Sequence, residues 1–156
     1  MLYLCRALVL PQILIRLVLL KLLMVEILLD TNFLLLPGEY RVDIFAEIRR
    51  IITGPYELII LDRTIDELNA LALTGKPRQK PATKIALLLV KKHKVRVIET
   101  GRTIHVDKLI KDYAAKLPRG GLIIATQDAQ LKKALAKQHI PLIVMRKKQY
   151  LVLQGL

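Results

Sequence analysis

The sequence predicts an α/β protein, a three-layer α/β/α sandwich with helices on both faces of a mostly parallel sheet. Three observations carry that prediction. From Val25 onward, short aliphatic runs alternate with longer amphipathic segments, the pattern of repeated βα units. Apolar residues make up 53% of the chain, with seven Gly, seven Pro and no low-complexity tract, so an ordered core is expected. At 156 residues the chain can build one well-buried core but not two.

The elements follow in order. "VEILL" (25–29) is a continuous apolar run of strand length, and "RVDIFAEIRRII" (41–52) is a helix with Val42, Phe45, Ile48 and Ile52 at helical spacing. After the Gly54-Pro55 break, "YELIIL" (56–61) is the second strand. "TIDELNALAL" (64–73) opens with Thr64 and places Glu67 three residues later, the pattern of a capping box, so a helix begins there. "TGKPRQKPATK" (74–84) is the most loop-like stretch, with Gly75, Pro77 and Pro81 among Lys76, Arg78, Lys80 and Lys84. A helix over "ATKIALLLVKKH" (82–93) leads to a third strand, "VRVIE" (95–99). The helix "VDKLIKDYAAKL" (106–117), the strand "GLIIAT" (121–126) and the helix "DAQLKKALAKQH" (128–139) come next. "PLIVM" (141–145) and "YLVL" (150–153) supply one or two closing strands.

Residues 1–23 read as a hydrophobic leader apart from the domain at 24–156. The leader is nearly all aliphatic but is interrupted by Arg6, Pro11, Arg16 and Lys21. Its longest charge-free run, 7–15, falls far short of the roughly 20 apolar residues a membrane-spanning helix needs. It also lacks the small-residue cleavage site of a secretory signal. Met24 directly precedes the first strand, so the first expectation is that translation begins there. A membrane-surface helix and a helix packed on the domain are the alternatives. A cytoplasmic protein is expected, with no membrane partner.

Lys and Arg number 26 against 13 Asp and Glu, a formal net charge of +13, so the molecule should attract polyanions, nucleic acid foremost. Basic residues cluster at 76–84, in "KKHK" (91–94) and in "RKK" (146–148). Two Phe, five Tyr and no Trp offer few stacking platforms, which limits base-specific recognition. Cys5 is the only cysteine, excluding an intramolecular disulfide and a cysteine-based zinc site. His93, His105 and His139 lack metal-ligand spacing.

In such sheets, ligands gather beyond the carboxyl ends of the strands, where strand order reverses. Asp30 ends the first strand, and a lone ionised carboxylate there is costly unless something positive or strongly hydrogen-bonding meets it. Asp128 follows the fourth strand just after Thr126 and Gln127. Glu67, with Asp66 beside it, and Asp107 lie in the first turns of helices, where the helix dipole alone would favour acids. Taken together, carboxylates at one sheet edge repel each other and call for a cation; oxygen ligands select Mg²⁺ or Mn²⁺. Such a cation would hold a phosphodiester, acidify a water and offset charge on the leaving oxygen.

"LLDTN", "IDEL", "VDKLI" and "ATQDAQLKK", in that order and at compatible intervals, resemble the PIN-domain nucleases, and the resemblance covers residues 24–156. It implies a PIN-like fold and an Mg²⁺- or Mn²⁺-dependent endoribonuclease. Its catalytic and metal-holding acids fall on Asp30, Glu67, Asp107 and Asp128, with Thr126 as a polar helper and Asn32 as a residue that orients a carboxylate or water. Glu67 rather than Asp66 matches the second motif; Asp43, Asp62 and Asp112 read as solvated helix or turn acids. RNA would be received by Lys76, Arg78, Lys80, Lys84, Arg146, Lys147 and Lys148. The ending "IPLIVMRKKQYLVLQG" (140–155) resembles the rRNA-processing branch, which implies a ribosome-assembly partner. A toxin-type ribonuclease held by an antitoxin is the alternative, as is a non-catalytic RNA-binding assembly protein. A homodimer is a family expectation.

Overall fold

The computed structural model describes residues 12–19, 23–118 and 120–155. Helix α1 occupies 12–19. The rest of the expected leader, 1–11 and 20–22, lies outside the described residues. Then come β1 (Val25–Leu29), α2 (Thr31–Leu34), α3 (Leu36–Tyr40), α4 (Ile44–Ile51), β2 (Tyr56–Leu61), α5 (Asp62–Thr74) and α6 (Gln79–Lys92). β3 (Arg96–Ile98), α7 (Val106–Ala114), β4 (Leu122–Ala125), α8 (Ala129–Ala136), β5 (Leu142–Arg146) and β6 (Tyr150–Gln154) complete the chain. Among the described residues, no helix is long and apolar enough to cross a membrane.

The strands form one six-stranded sheet in the order β3-β2-β1-β4-β5-β6. All neighbours run parallel except the β5–β6 hairpin. The expected α/β/α sandwich is what the chain builds. A parallel sheet covered on both faces needs strands apolar on both sides, which is why β1, β2 and β4 read as unbroken aliphatic runs. Ile27, Leu29, Ile60, Ile123 and Ile143 pack on one face with Phe33, Phe45, Ile48, Leu68 and Ala86. Leu28, Ile59, Leu61, Ile124 and Val144 pack on the other with Leu109, Ile110, Leu131 and Leu135. Helices α2 to α6 therefore cover one face, α7 and α8 the other. Strand order reverses between β1 and β4, which opens the crevice of a doubly wound sheet at their carboxyl ends.

Several element boundaries differ from the sequence reading. The apolar stretch after Asp30, to which the sequence reading gives no element, folds into α2 and α3. Pro37 sits in the first turn of α3, where its missing N–H has no partner to lose. A β-carbon at Gly38 would lie 2.4 Å from the Ala82 Cα and 2.7 Å from its Cβ, so the absent side chain is what lets α3 lie directly on α6. Helix α4 begins at Ile44, with Asp43 accepting hydrogen bonds from the Phe45 and Ala46 amides. Helix α5 begins at Asp62 rather than Thr64, and Thr64 is buried inside its first turn instead of capping it. Helix α6 takes in half of the expected loop, because Pro81 also falls in a first turn.

Candidate active site at the carboxyl edge of the sheet

Asp30 leaves β1 at the reversal point, and its amide donates to the Ala125 carbonyl of β4 (3.0 Å). Its side chain is 2% exposed. What meets its carboxylate is Thr126: the fully buried Thr126 Oγ1 donates to Asp30 Oδ2 at 2.8 Å and accepts from the Asp128 amide at 3.1 Å. Burial dominates the proton affinity of Asp30, pushing its pKa from 3.8 up to about 6. The Thr126 hydroxyl pulls it back down, while the charges of Asp107 and Glu67 push it further up.

Glu67 is half-buried on α5, and its Oε2 accepts from Thr31 Oγ1 at 2.7 Å. Asp66 turns to solvent and pairs with Arg63 (2.8 Å). Thr31, which the sequence reading passed over, thus ties the start of α2 to α5. No local pattern pairs it with Glu67, 36 positions away. Asn32 is exposed and lines an adjoining groove. Asp107 is exposed in the first turn of α7. Asp128 caps α8, its Oδ1 accepting from the Leu131 amide at 2.6 Å.

Asp62 is not the solvated acid it was taken for. Its Oδ1 accepts from Thr100 Oγ1 (2.7 Å) and the Arg63 amide (2.8 Å), and its Oδ2 accepts from the Thr100 amide (2.9 Å). These bonds hold its pKa down against burial, and they tie the start of α5, which carries Glu67, to the loop leading into α7, which carries Asp107. Asp43 and Asp112 are also engaged: Asp43 caps α4, and Asp112 pairs with Arg102 at 2.8 Å. His93 stacks on Phe45, with ring centroids 3.9 Å apart.

Among the basic residues, Arg78 and Lys148 both approach the Tyr40 ring, 5.8 and 5.3 Å from its centroid. Lys147 lines the same groove. Lys76, Lys80, Lys84 and Arg146 are exposed.

Fold and site together define a doubly wound α/β domain with an acidic crevice at its reversal point. Residues 27–148 match the family model described as a PIN like domain, and the chain belongs to that family. Ribonuclease VapC4 of Methanocaldococcus jannaschii is 32% identical over 135 residues, 85% of this chain and 99% of that protein. The structure of the PIN domain endonuclease Utp24 superposes with a TM-score of 0.70 at 20% identity, over 84% of this chain and 92% of that one, a likeness of fold.

The family implies a divalent cation, and the donor set fits one in a particular way. Among the described residues, no three His, Cys, Asp or Glu side chains gather closely enough to ligate one ion. Asp128 Oδ1 is turned to its own helix and Glu67 Oε2 to Thr31, each leaving a second carboxylate oxygen, so Asp30, Glu67, Asp107 and Asp128 as joint ligands of one ion stays an expectation. Asp107 and Glu67 still act on Asp30 through their fields, which reach further than ligation. One buried carboxylate under acidic pressure suits a small hard cation that keeps much of its water and takes one or two carboxylates.

Proposed function

We propose that residues 24–156 act as a cytoplasmic endoribonuclease, hydrolysing RNA phosphodiesters at the Asp30 crevice with Mg²⁺ or Mn²⁺. The observation that carries this reading is Asp30 itself, a buried carboxylate at the strand reversal, raised to about 6 by burial and acidic neighbours. The match to a ribonuclease over 99% of that protein's length supports the chemistry.

When bound, a divalent cation would supply positive charge to the phosphodiester oxygens and acidify a water. Asp30 would hold it, with the carboxylate's orientation set by the Thr126 hydroxyl. Glu67, held by Thr31, and Asp107 keep the crevice negative enough to retain the ion and accept protons from water. Asp128 fixes Thr126 through its backbone amide, and α8 through its side chain. Arg78, Lys147 and Lys148, with Lys76, Lys80, Lys84 and Arg146 around them, offset the repulsion between this crevice and the RNA backbone.

Two biological settings share this chemistry. The full-length match to Ribonuclease VapC4 favours a toxin-type ribonuclease whose protein partner blocks the crevice. An rRNA-processing role rests on the short ending at 140–155. The deciding experiment is cleavage of single-stranded and structured RNA, with and without Mn²⁺, by the wild type and by Asp30→Asn. Cleavage should require the ion and fall at least about a hundredfold in the variant. Full activity of Asp30→Asn in a clean preparation overturns the proposal.

A further inference from the structure

A groove of about 510 Å³ adjoins the Asp30 crevice, and Asn32 and Gln127, neighbours of Asp30 and Asp128 in the chain, form part of its wall. That volume suits a nucleotide rather than a duplex. Leu35, Leu36 and Met145 line it, as does Gln79 at the start of α6, whose Oε1 accepts from the Lys76 amide at 3.1 Å. Gln127 Nε2 is enclosed with no hydrogen-bond partner among the described residues.

Two cations from distant parts of the chain, Arg78 before α6 and Lys148 in the β5–β6 turn, meet over one ring, Tyr40. The turn is conformationally costly. Lys147 (φ 51°) and Lys148 (φ 57°) both adopt left-handed backbone, and the Gln149 amide closes the turn on the Arg146 carbonyl at 3.0 Å. Two successive residues at positive φ favour Asn and Gly, because other side chains resist that backbone. The two lysines place charge at the groove at a conformational cost that Asn and Gly would not bear; Arg41, Lys94 and His139, near helix ends, also take positive φ (56°, 50° and 56°).

We propose that this groove seats one unpaired nucleotide of the RNA strand beside the cut, its phosphate taken by Arg78 and Lys148 and its base laid on Tyr40. This rests on the RNA-cleaving reading above. A phosphate entering at the rim exchanges two cation–ring contacts for charge-assisted hydrogen bonds and bares the ring for the adjacent base. Glu39, also on the wall, repels phosphate from the interior and so keeps the backbone at the lysine rim.

The test uses the full chain in chelator, with fluorescence anisotropy on short single-stranded RNA and on a duplex, beside thermal melts. The double variant K147N/K148G should melt about 2–4 °C higher and bind single-stranded RNA about tenfold more weakly. K91N/K94G, which removes the same charge at the opposite edge of the sheet, should lose far less affinity. Tyr40→Ala should weaken single-strand binding about tenfold with little effect on duplex, and Tyr40→Phe should bind like the wild type. Unchanged affinity in K147N/K148G, a loss matched by K91N/K94G, or equal loss on single strand and duplex in Tyr40→Ala overturns the proposal. Cleavage judges the nuclease reading separately. Binding of this pattern without cleavage keeps the groove and rejects the nuclease, whereas cleavage with normal binding by the variants does the reverse.

Discussion

Asp30 is the residue on which the chemistry and the stability of this protein conflict. Its folded pKa of about 6 lies above the 3.8 of the free side chain, so the folded state holds this proton more tightly than the unfolded chain does. The stabilisation from that proton is complete below about pH 4 and is lost as pH rises through 6. The gap corresponds to about 3 kcal/mol, which burial imposes whenever the carboxylate is ionised without a cation. Asn at this position carries no charge at any pH. In chelator, urea denaturation should therefore show Asp30→Asn gaining on the wild type by about 3 kcal/mol between pH 4 and pH 7. A difference that stays flat across that window shows that the buried carboxylate is not under the strain described. Added Mg²⁺ or Mn²⁺ at pH 7 should close the gap by stabilising the wild type and leaving the variant unmoved. The sequence exposed this residue plainly, since an acid ending an aliphatic strand has no bland explanation. It did not expose Thr31, whose partner Glu67 is 36 positions away; such a contact exists only once α2 and α5 are side by side.

At the level of elements, periodicity was enough for the strands and for α4, α7 and α8, because each buries a continuous run or a single stripe. It failed where local signals have two readings. Pro and Gly in "LLLPG" and "GKPRQKP" look like breakers, yet Pro37 and Pro81 occupy first turns that tolerate proline. Thr64 and Glu67 have capping spacing, yet the helix starts two residues earlier. The bonds between Asp62 and Thr100 span 38 positions and left no trace in the local pattern. Both non-local devices can be tested. Gly38→Ala pushes a methyl into the Ala82 backbone and should destabilise the fold by about 1–3 kcal/mol in thermal or chemical denaturation. A wild-type melting curve for that variant means that α3 and α6 do not touch as described. Asp62→Ala releases the loop before α7, and hydrogen exchange at the Thr100 amide should quicken relative to strand amides such as Ile59, which report global opening. If both sites quicken equally, Asp62 supports overall stability alone and does not specifically hold the loop that carries Asp107.

For the whole molecule the sheet order is decisive. Because β1 and β4 are neighbours while their helices leave to opposite faces, strand ends separated by nearly a hundred positions, Asp30 and Thr126, close on each other. The same topology brings the start of α6 and the β5–β6 turn to that edge, and it sends Lys91 and Lys94 to the opposite one, where β3 begins. A formal charge of +13 is therefore not one undifferentiated attraction. Long-range steering depends on the total, but counterion release depends only on cations that touch phosphate, at about 0.7 of a log unit per contact for a single strand. K147N/K148G, which removes the one lysine placed on phosphate, should thus flatten the salt dependence of single-stranded RNA binding by about 0.7 in the log–log slope. K91N/K94G, with the same net charge, should keep the wild-type slope and shift only the affinity, slightly. Anisotropy titrations across a series of salt concentrations read both quantities. Equal flattening in the two variants means that RNA is held by overall charge and that the carboxyl edge has no privileged track for the strand.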